Sequence, residues 1–162
     1  MCAYHSDWGG FMAQEIPEGF STVTPNLIVE GASEAIELYK NAFDAEEKDR
    51  MEIGASGKIM HSHLMIGTSS VFIADADPQH ESGMATKCSF YLYVKDVDSS
   101  FAKAREAGME EVYPIEEMFW GDRTAGVKDK YGNYWTLATH LRDVSPAEME
   151  EGKKKFMQKY AG

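Results

Sequence analysis

The stretch VTPNLIVEGASEAIELYKNAF (23–43) decides the fold, because its pattern returns as CSFYLYVKDVDSSFAKAREAG (88–108). Each copy opens with a short apolar run, the mark of a strand when turn residues bound it. In the first copy Ala32, Ala35, Ile36, Tyr39, Ala42 and Phe43 then recur at three-and-four spacing, which gives a helix one apolar stripe. Ser33 is its expected cap, and Glu34 and Glu37 suit the positive N-terminal end. In the second copy Val97, Phe101, Ala104 and Ala107 form the stripe, with Asp96 or Asp98 as cap and Gly108 as stop.

Both copies continue into three strands joined by short turns. In the first half these are 48–53, 59–66 and 70–74, with turns at 54–57 and 67–69. In the second half they are 111–113, 124–128 and 134–139. An ungapped offset of 65 residues lays Thr24 on Ser89, Leu27 on Leu92, Val29 on Val94, Ala42 on Ala107 and Gly67 on Gly132. Chance would supply a few such identities, so the shared order of elements is what argues for duplication. The expected fold class is α+β, with two tandem βαβββ modules. Residues 1–20 read as an extension, flexible unless Trp8 and Phe11 dock. A single domain at 21–144 then holds module one (21–76), a polar linker (77–87) and module two (88–140). Residues 145–162 form a C-terminal helix, opened by the capping box Ser145-Pro146-Ala147-Glu148. Its stripe of Met149, Phe156 and Tyr160 should pack on the body or on a partner subunit.

Composition narrows the function. The 162 residues carry 16 Lys+Arg against 27 Asp+Glu, a formal net charge of −11. Nucleic acids and anionic membranes need positive surface, so neither is an expected partner. The acidity serves solubility and would also attract cationic small molecules. No apolar run spans a bilayer, and the first twenty residues do not read as a secretory leader. Two cysteines, Cys2 and Cys88, make no disulfide framework, so a reduced, cytoplasmic setting is expected.

Four segments carry a resemblance: NLIVEGASEAIELYKNAF (26–43), GKIMHSHLMIGTSSVFIAD (57–75), FYLYVKDVDSSFAKAREAG (90–108) and FWGDRTAGVKDKYGNYWTLATH (119–140). The chain resembles the vicinal oxygen chelate superfamily of glyoxalases, bleomycin-resistance proteins and extradiol dioxygenases. Its GKIMH and FWGDR…D·(F/Y)G··W·LATH strings are most similar to the PhnB-like branch. The resemblance implies modules curled into a U-shaped, barrel-like cavity with helices outside, usually completed in a homodimer. It also implies a divalent metal held from the first and last strands of each module. Carried over, those ligand positions fall on Thr24, a position at or next to Val71, Ser89 and Thr136. Hydroxyls of ordinary acidity and an aliphatic chain are poor ligands. The metal site is therefore expected to be lost, and no cofactor is expected.

Strand alternation then assigns the cavity lining. Thr24, Asn26 and Ile28 should face inward on the first strand, Ser89, Tyr91 and Tyr93 on the fifth, and Tyr134 and Thr136 on the last. The three tyrosines could stack on a flat ligand and hydrogen-bond its edge, or pack together or seal a dimer. His61 and His63 share a face opposite Met60, Leu64 and Ile66. They are candidates for a general base, an anion clamp or two ligands of a rebuilt metal site, or else are half-exposed strand histidines. In the loop at 119–123, Trp120 could cover a ligand and Arg123 bind a carboxylate or phosphate. Equally, Asp122 and Arg123 could form a turn ion pair while Trp120 packs at a dimer rim. His140 reads as a packing or capping residue. The expected function is metal-free binding of an aromatic or cationic small molecule in a dimeric cavity. The alternatives are a metal-dependent lyase, isomerase or dioxygenase built on His61 and His63, and a metal-free enzyme using one of them as base.

Overall fold

The computed structural model describes residues 15–160, so Cys2, Trp8 and Phe11 lie outside the described residues. Module one comprises β1 (Asn26–Val29), α1 (Ala32–Phe43), β2 (Glu46–Glu52), β3 (Ile59–Ile66) and β4 (Ser69–Asp75). Module two repeats the order as β5 (Ser89–Tyr93), α2 (Val97–Glu106), β6 (Glu110–Glu117), β7 (Asp122–Lys128) and β8 (Tyr134–His140), and α3 (Pro146–Tyr160) follows. Each module is one four-stranded mixed sheet, ordered β1-β4-β3-β2 and β5-β8-β7-β6. The curled sheets do not close into a barrel. In each, the first strand pairs parallel with the last, and the remaining pairs are antiparallel.

The helices lie against each other on one side of the sheets. They bury one face of each sheet in a shared core, with Leu27, Val29, Leu64 and Ile73 in module one and Ala125, Val127, Trp135 and Leu137 in module two. The opposite, concave face stays open. Leu64 and Ile66 are buried as the alternation requires, but Met60, assigned to the same set, is 56% exposed at the strand end.

The cap of α1 differs from expectation. Gly31, with φ 88°, stands at the N-cap, and Ser33 makes no cap bond. Asp75 at the end of β4 supplies the acceptor instead. Its Oδ1 takes the N–H groups of Gly31 and Ala32, each at 2.9 Å, and its Oδ2 takes that of Ile59 at 2.7 Å. A carboxylate from another strand thus satisfies two of the orphan donors at the helix start. At α2 and α3 the local caps form as expected. Asp96 accepts from Ser99, and Ser145 and Glu148 exchange bonds at 2.8 and 3.3 Å.

The modules are joined by Asp129, which is 1% exposed, in the β7–β8 turn. Its Oδ2 accepts from Tyr39 Oη at 2.7 Å, Asn133 Nδ2 at 3.0 Å and Trp135 Nε1 at 3.3 Å. Its Oδ1 takes the N–H groups of Tyr131 and Asn133. Tyr39 comes from α1, so module one supplies a phenol to a carboxylate of module two. Burial and the Asp129 charge push the Tyr39 hydroxyl far above the usual phenol range, which keeps it a donor. The recurring D·YG··W string is therefore structural: Asp129 is the acceptor, Gly132 turns the chain at φ 90°, and Trp135 closes the network.

Replacing Asp129 with Ala strips the acceptor from three buried side-chain donors, at about 1 kcal/mol each, besides two backbone N–H groups. We expect a loss of at least about 3 kcal/mol and a fall in Tm of roughly 6–12 °C. Tyr39→Phe should cost about a third of that, since it removes the bond to Asp129 and a long one at 3.3 Å from Asn133 Nδ2, which keeps its bond to Asp129, and leaves the carboxylate its other donors. Chemical denaturation of the two variants measures both.

Candidate functional site

The concave face of module two follows from its register. Thr136 on β8 lies between Tyr91 on β5 and Gly126 on β7, and Ala138 lies between Tyr93 and Thr124. Lys128, Gly126, Thr124 and Asp122 therefore share this face with the tyrosines. Gly126 and Ala138 are small, and large neighbours lie over them. Tyr113, from β6, crosses Gly126 so closely that a Cβ there would stand 2.2 Å from its ring. Its hydroxyl meets Thr136 Oγ1 at 3.1 Å. Tyr91 and Tyr93 reach across β8 from the other side, over Ala138, which is fully buried.

The two phenols converge on Asp122, which is 2% exposed. Asp122 Oδ2 accepts from Tyr91 Oη at 2.8 Å, Tyr93 Oη at 3.1 Å and Trp120 Nε1 at 3.1 Å. Its Oδ1 faces His140 Nδ1 at 2.7 Å, and His140 Nε2 faces the exposed Asp143 at 3.2 Å. Burial pushes the Asp122 carboxyl up, but the bonds from His140, Tyr91, Tyr93 and Trp120 outweigh it and hold it below its usual range. The hydrogen bonds to Asp122 and Asp143 raise His140. Burial, with the bond and charge of Asp122, pushes the Tyr91 hydroxyl up to about 12. These phenols are donors already committed to a carboxylate. Their rings form a tilted pair with centroids 5.2 Å apart, and Tyr91, Tyr93 and Tyr134 remain 46%, 63% and 46% exposed. The face is a floor of aromatic surface on which the Tyr91 and Tyr93 hydroxyls are occupied. Lys128 stands 5.8 Å over the Tyr134 ring and pairs with Glu110 at 3.5 Å.

The loop before β7 is held from behind. Gly121, at φ 95°, has no room for a Cβ, which would stand 2.0 Å from the Arg142 carbonyl oxygen. Phe119 packs edge-on against Trp120 and tilted against Phe156 of α3 with centroids 5.0 and 5.5 Å apart, and Gly152 in α3 makes space for it.

Arg123 is not at this floor. Its parity on β7 puts it on the helix side, opposite Asp122, where its guanidinium makes a two-pronged pair with Asp98 of α2 at 2.8 and 2.9 Å. That placement replaces the expected Asp122–Arg123 turn pair with one to Asp98 and sets the guanidinium on the face away from the tyrosines. His140, read as packing or capping, is part of the Asp122 network. Its spacing carried no sign of this, because the bond joins neighbouring strands.

Module one has a different concave face. Asn26 pairs with Phe72, and Phe72 with His63. Phe20 stacks on His63 at 4.9 Å, and Phe72 is tilted against both Phe20 and His61. His63 Nε2 meets Ser70 Oγ at 2.9 Å, and Ser70 donates to the carbonyl of Gly19 at 2.8 Å.

The register also narrows one inherited metal position, expected at or next to Val71. Asn26 pairs with Phe72 while its equivalent Tyr91 pairs with Thr136, so the uniform offset slips by one residue between first and last strands. Phe72 is therefore the counterpart of Thr136, and Val71 is buried on the helix side. The donor set at these positions is then Thr24, Phe72, Ser89 and Thr136. Two Thr hydroxyls, a Ser hydroxyl and a phenyl ring do not fit a divalent metal. Among the described residues, no three His, Cys, Asp or Glu side chains stand together so as to hold an ion, and His61 and His63 gain no carboxylate partner for one.

The Asp122–His140 pair makes stability depend on pH from both sides. The lowered carboxyl contributes above its ordinary pKa of about 4, and that contribution is lost as pH falls through the lower folded value. The raised imidazole contributes fully below about 6.5 and loses its contribution as pH rises through the higher folded value. We expect the stability difference between the wild type and Asp122→Asn to be largest between about pH 4 and 6.5 and to shrink on either side, read from urea unfolding across that range.

Comparisons with known proteins agree with this geometry. The sequence profile described as "Glyoxalase/Bleomycin resistance protein/Dioxygenase superfamily" matches residues 20–137. An uncharacterized protein of Mycobacterium tuberculosis is 34% identical over 154 residues, covering 90% of this chain and 88% of that protein. Among solved structures, TioX from Micromonospora sp. ML1 is 27% identical with a TM-score of 0.63, covering 75% of this chain and 99% of TioX. At 18% identity and a TM-score of 0.55, the fosfomycin resistance protein FosX from Listeria monocytogenes shares the fold, over 80% of this chain and 97% of its own. With both sheets, both helix-packed faces and the repeat order in register, the chain belongs to the glyoxalase/bleomycin resistance protein/dioxygenase superfamily.

Proposed function

We propose that this protein binds a flat small molecule on the tyrosine floor of module two, without a metal, in a cavity completed by a second copy of the chain. The observation that carries this is the exposed ring surface of Tyr91, Tyr93 and Tyr134, together with hydroxyls of Tyr91 and Tyr93 already spent on Asp122. Monomeric proteins seldom leave contiguous apolar surface open, and such patches serve ligands or partners. The ring faces are electron-rich, and the chain is acidic, so planar aromatic cations are the favoured class. Trp120, tied to Asp122, walls the floor. Asn26, His61 and His63 belong to the concave face of module one, the half that a partner's module two would meet in a homodimer. There the histidines contribute ring and hydrogen-bonding surface rather than a metal pair. Arg123 takes no part.

The measurement is thermal shift and fluorescence titration with the planar cation thioflavin T and the planar anion anilinonaphthalene sulfonate. A ligand at a hundred times its Kd stabilises by about 2.7 kcal/mol, a rise in Tm of roughly 5–10 °C. Tyr134→Ala and Tyr91→Leu should weaken binding about tenfold, and Tyr91→Phe much less, because it keeps the ring. Exhaustive chelation should leave binding unchanged. Sedimentation should give twice the 18.1 kDa chain mass. No stabilisation by either dye, or loss of binding on chelation, overturns the proposal.

A further inference from the structure

In module two the level of the concave face defined by Gly126 and Thr136 is roofed by the ring of Tyr113, which belongs to β6 and so to the sheet itself. In module one the matching level, His63 and Phe72, is also roofed by an aromatic ring, but from a different source. The ring is Phe20, which belongs to no strand or helix. Its centroid lies 4.9 Å from that of His63 at an interplanar angle of 27°, and 5.7 Å from that of Phe72. Around Phe20 and Phe72 a cavity of about 590 Å³ stays open, lined also by Ile16, Pro17 and Thr24.

Among the described residues the attachment of this ring is slight. Besides the ring contacts, the Ser70 hydroxyl binds the Gly19 carbonyl at 2.8 Å, and Phe20 N–H closes a turn onto the Pro17 carbonyl at 3.1 Å. A single stacked ring pair is a weak contact beyond its area, within reach of competition by a ligand. The hydroxyl that holds Gly19 also meets His63 Nε2, so seating the ring and orienting the imidazole are one event.

We propose that His63 and Phe72 form a slot for a planar aromatic ring, and that Phe20 is its intramolecular occupant, displaced when a flat ligand enters. The slot is distinct from the tyrosine floor. It rests on the reading that the concave faces bind small molecules, and it adds a second aromatic subsite, in module one, gated by Phe20. A ligand or part of a ligand with one flat ring fits the space that Phe20 vacates, and Ser70 and His63 then offer it a hydroxyl and an imidazole nitrogen.

The test is titration of the full chain with anilinonaphthalene sulfonate, with melting curves to establish that each variant is folded. Phe20→Ala should raise affinity about fivefold, and adding His63→Ala should remove the gain. Ser70→Ala, which keeps the ring but loosens its tether, should give a smaller rise, about twofold, and serves where Phe20→Ala melts early. Phe20→Trp should leave the slot closed. An unchanged or weaker affinity in folded Phe20→Ala, a gain that persists without His63, or no rise in Ser70→Ala overturns the proposal. Loss of dye binding in Tyr134→Ala bears on the floor alone, so the two readings fail separately.

Discussion

Asp129 is the contact on which the arrangement of the two modules depends. A buried carboxylate is costly unless its lone pairs are filled, and here phenol, indole, amide and backbone donors fill them. One of those donors, Tyr39, arrives from the other module. The charge can be accommodated only when α1 sits beside the β7–β8 turn, so its satisfaction selects one docking of the halves. Stacking adds to this selection. Phe43 and Phe90 flank Trp135 with centroids 4.6 and 4.3 Å away, bringing α1 and β5 onto the same indole. With the helices side by side, both open sheet faces are left free of the core.

A second carboxylate, Asp122, does for the open face what Asp129 does for the core. It gathers two phenols from β5, an indole from the loop before β7 and an imidazole from the end of β8. The consequence for function is chemical. A phenol bonded to a carboxylate resists ionisation and is not free to donate to a ligand. What the site presents is therefore ring surface held in place, suited to stacking, and the positions where superfamily relatives would offer metal ligands present alcohols and a phenyl ring. The scaffold permits this because recognition on it resides in a few side chains while the sheets and helices persist.

The repeated βαβββ order, the α1 stripe and the α3 capping box were legible because each depends on neighbours along the chain. Periodicity of 3.6 or 2 residues reports burial directly. The tyrosine face of β5 was legible for the same reason. Arg123 and His140 were not. Parity along β7 separates Arg123 from Asp122, yet the choice of face needs the register with β8, and Asp98 lies on a helix far back in the chain. Ser33 has the right chemistry for a cap but lost to Asp75, which approaches only after β4 has paired with β1. The one-residue slip that exchanges Val71 for Phe72 is likewise a property of strand pairing.

By itself the sequence determined the element order, the helix faces, the aromatic character of the open sheet and the poor donor set for a metal, since these follow from residue type and local period. Tertiary structure decided which carboxylate meets which donor, which phenols remain free, and that Phe20 lies on His63. The physical reason is range: alternation and capping act over a few residues, whereas hydrogen bonds to Asp122 and Asp129 and the stacking of Phe20 join atoms that only strand register and helix docking bring within reach.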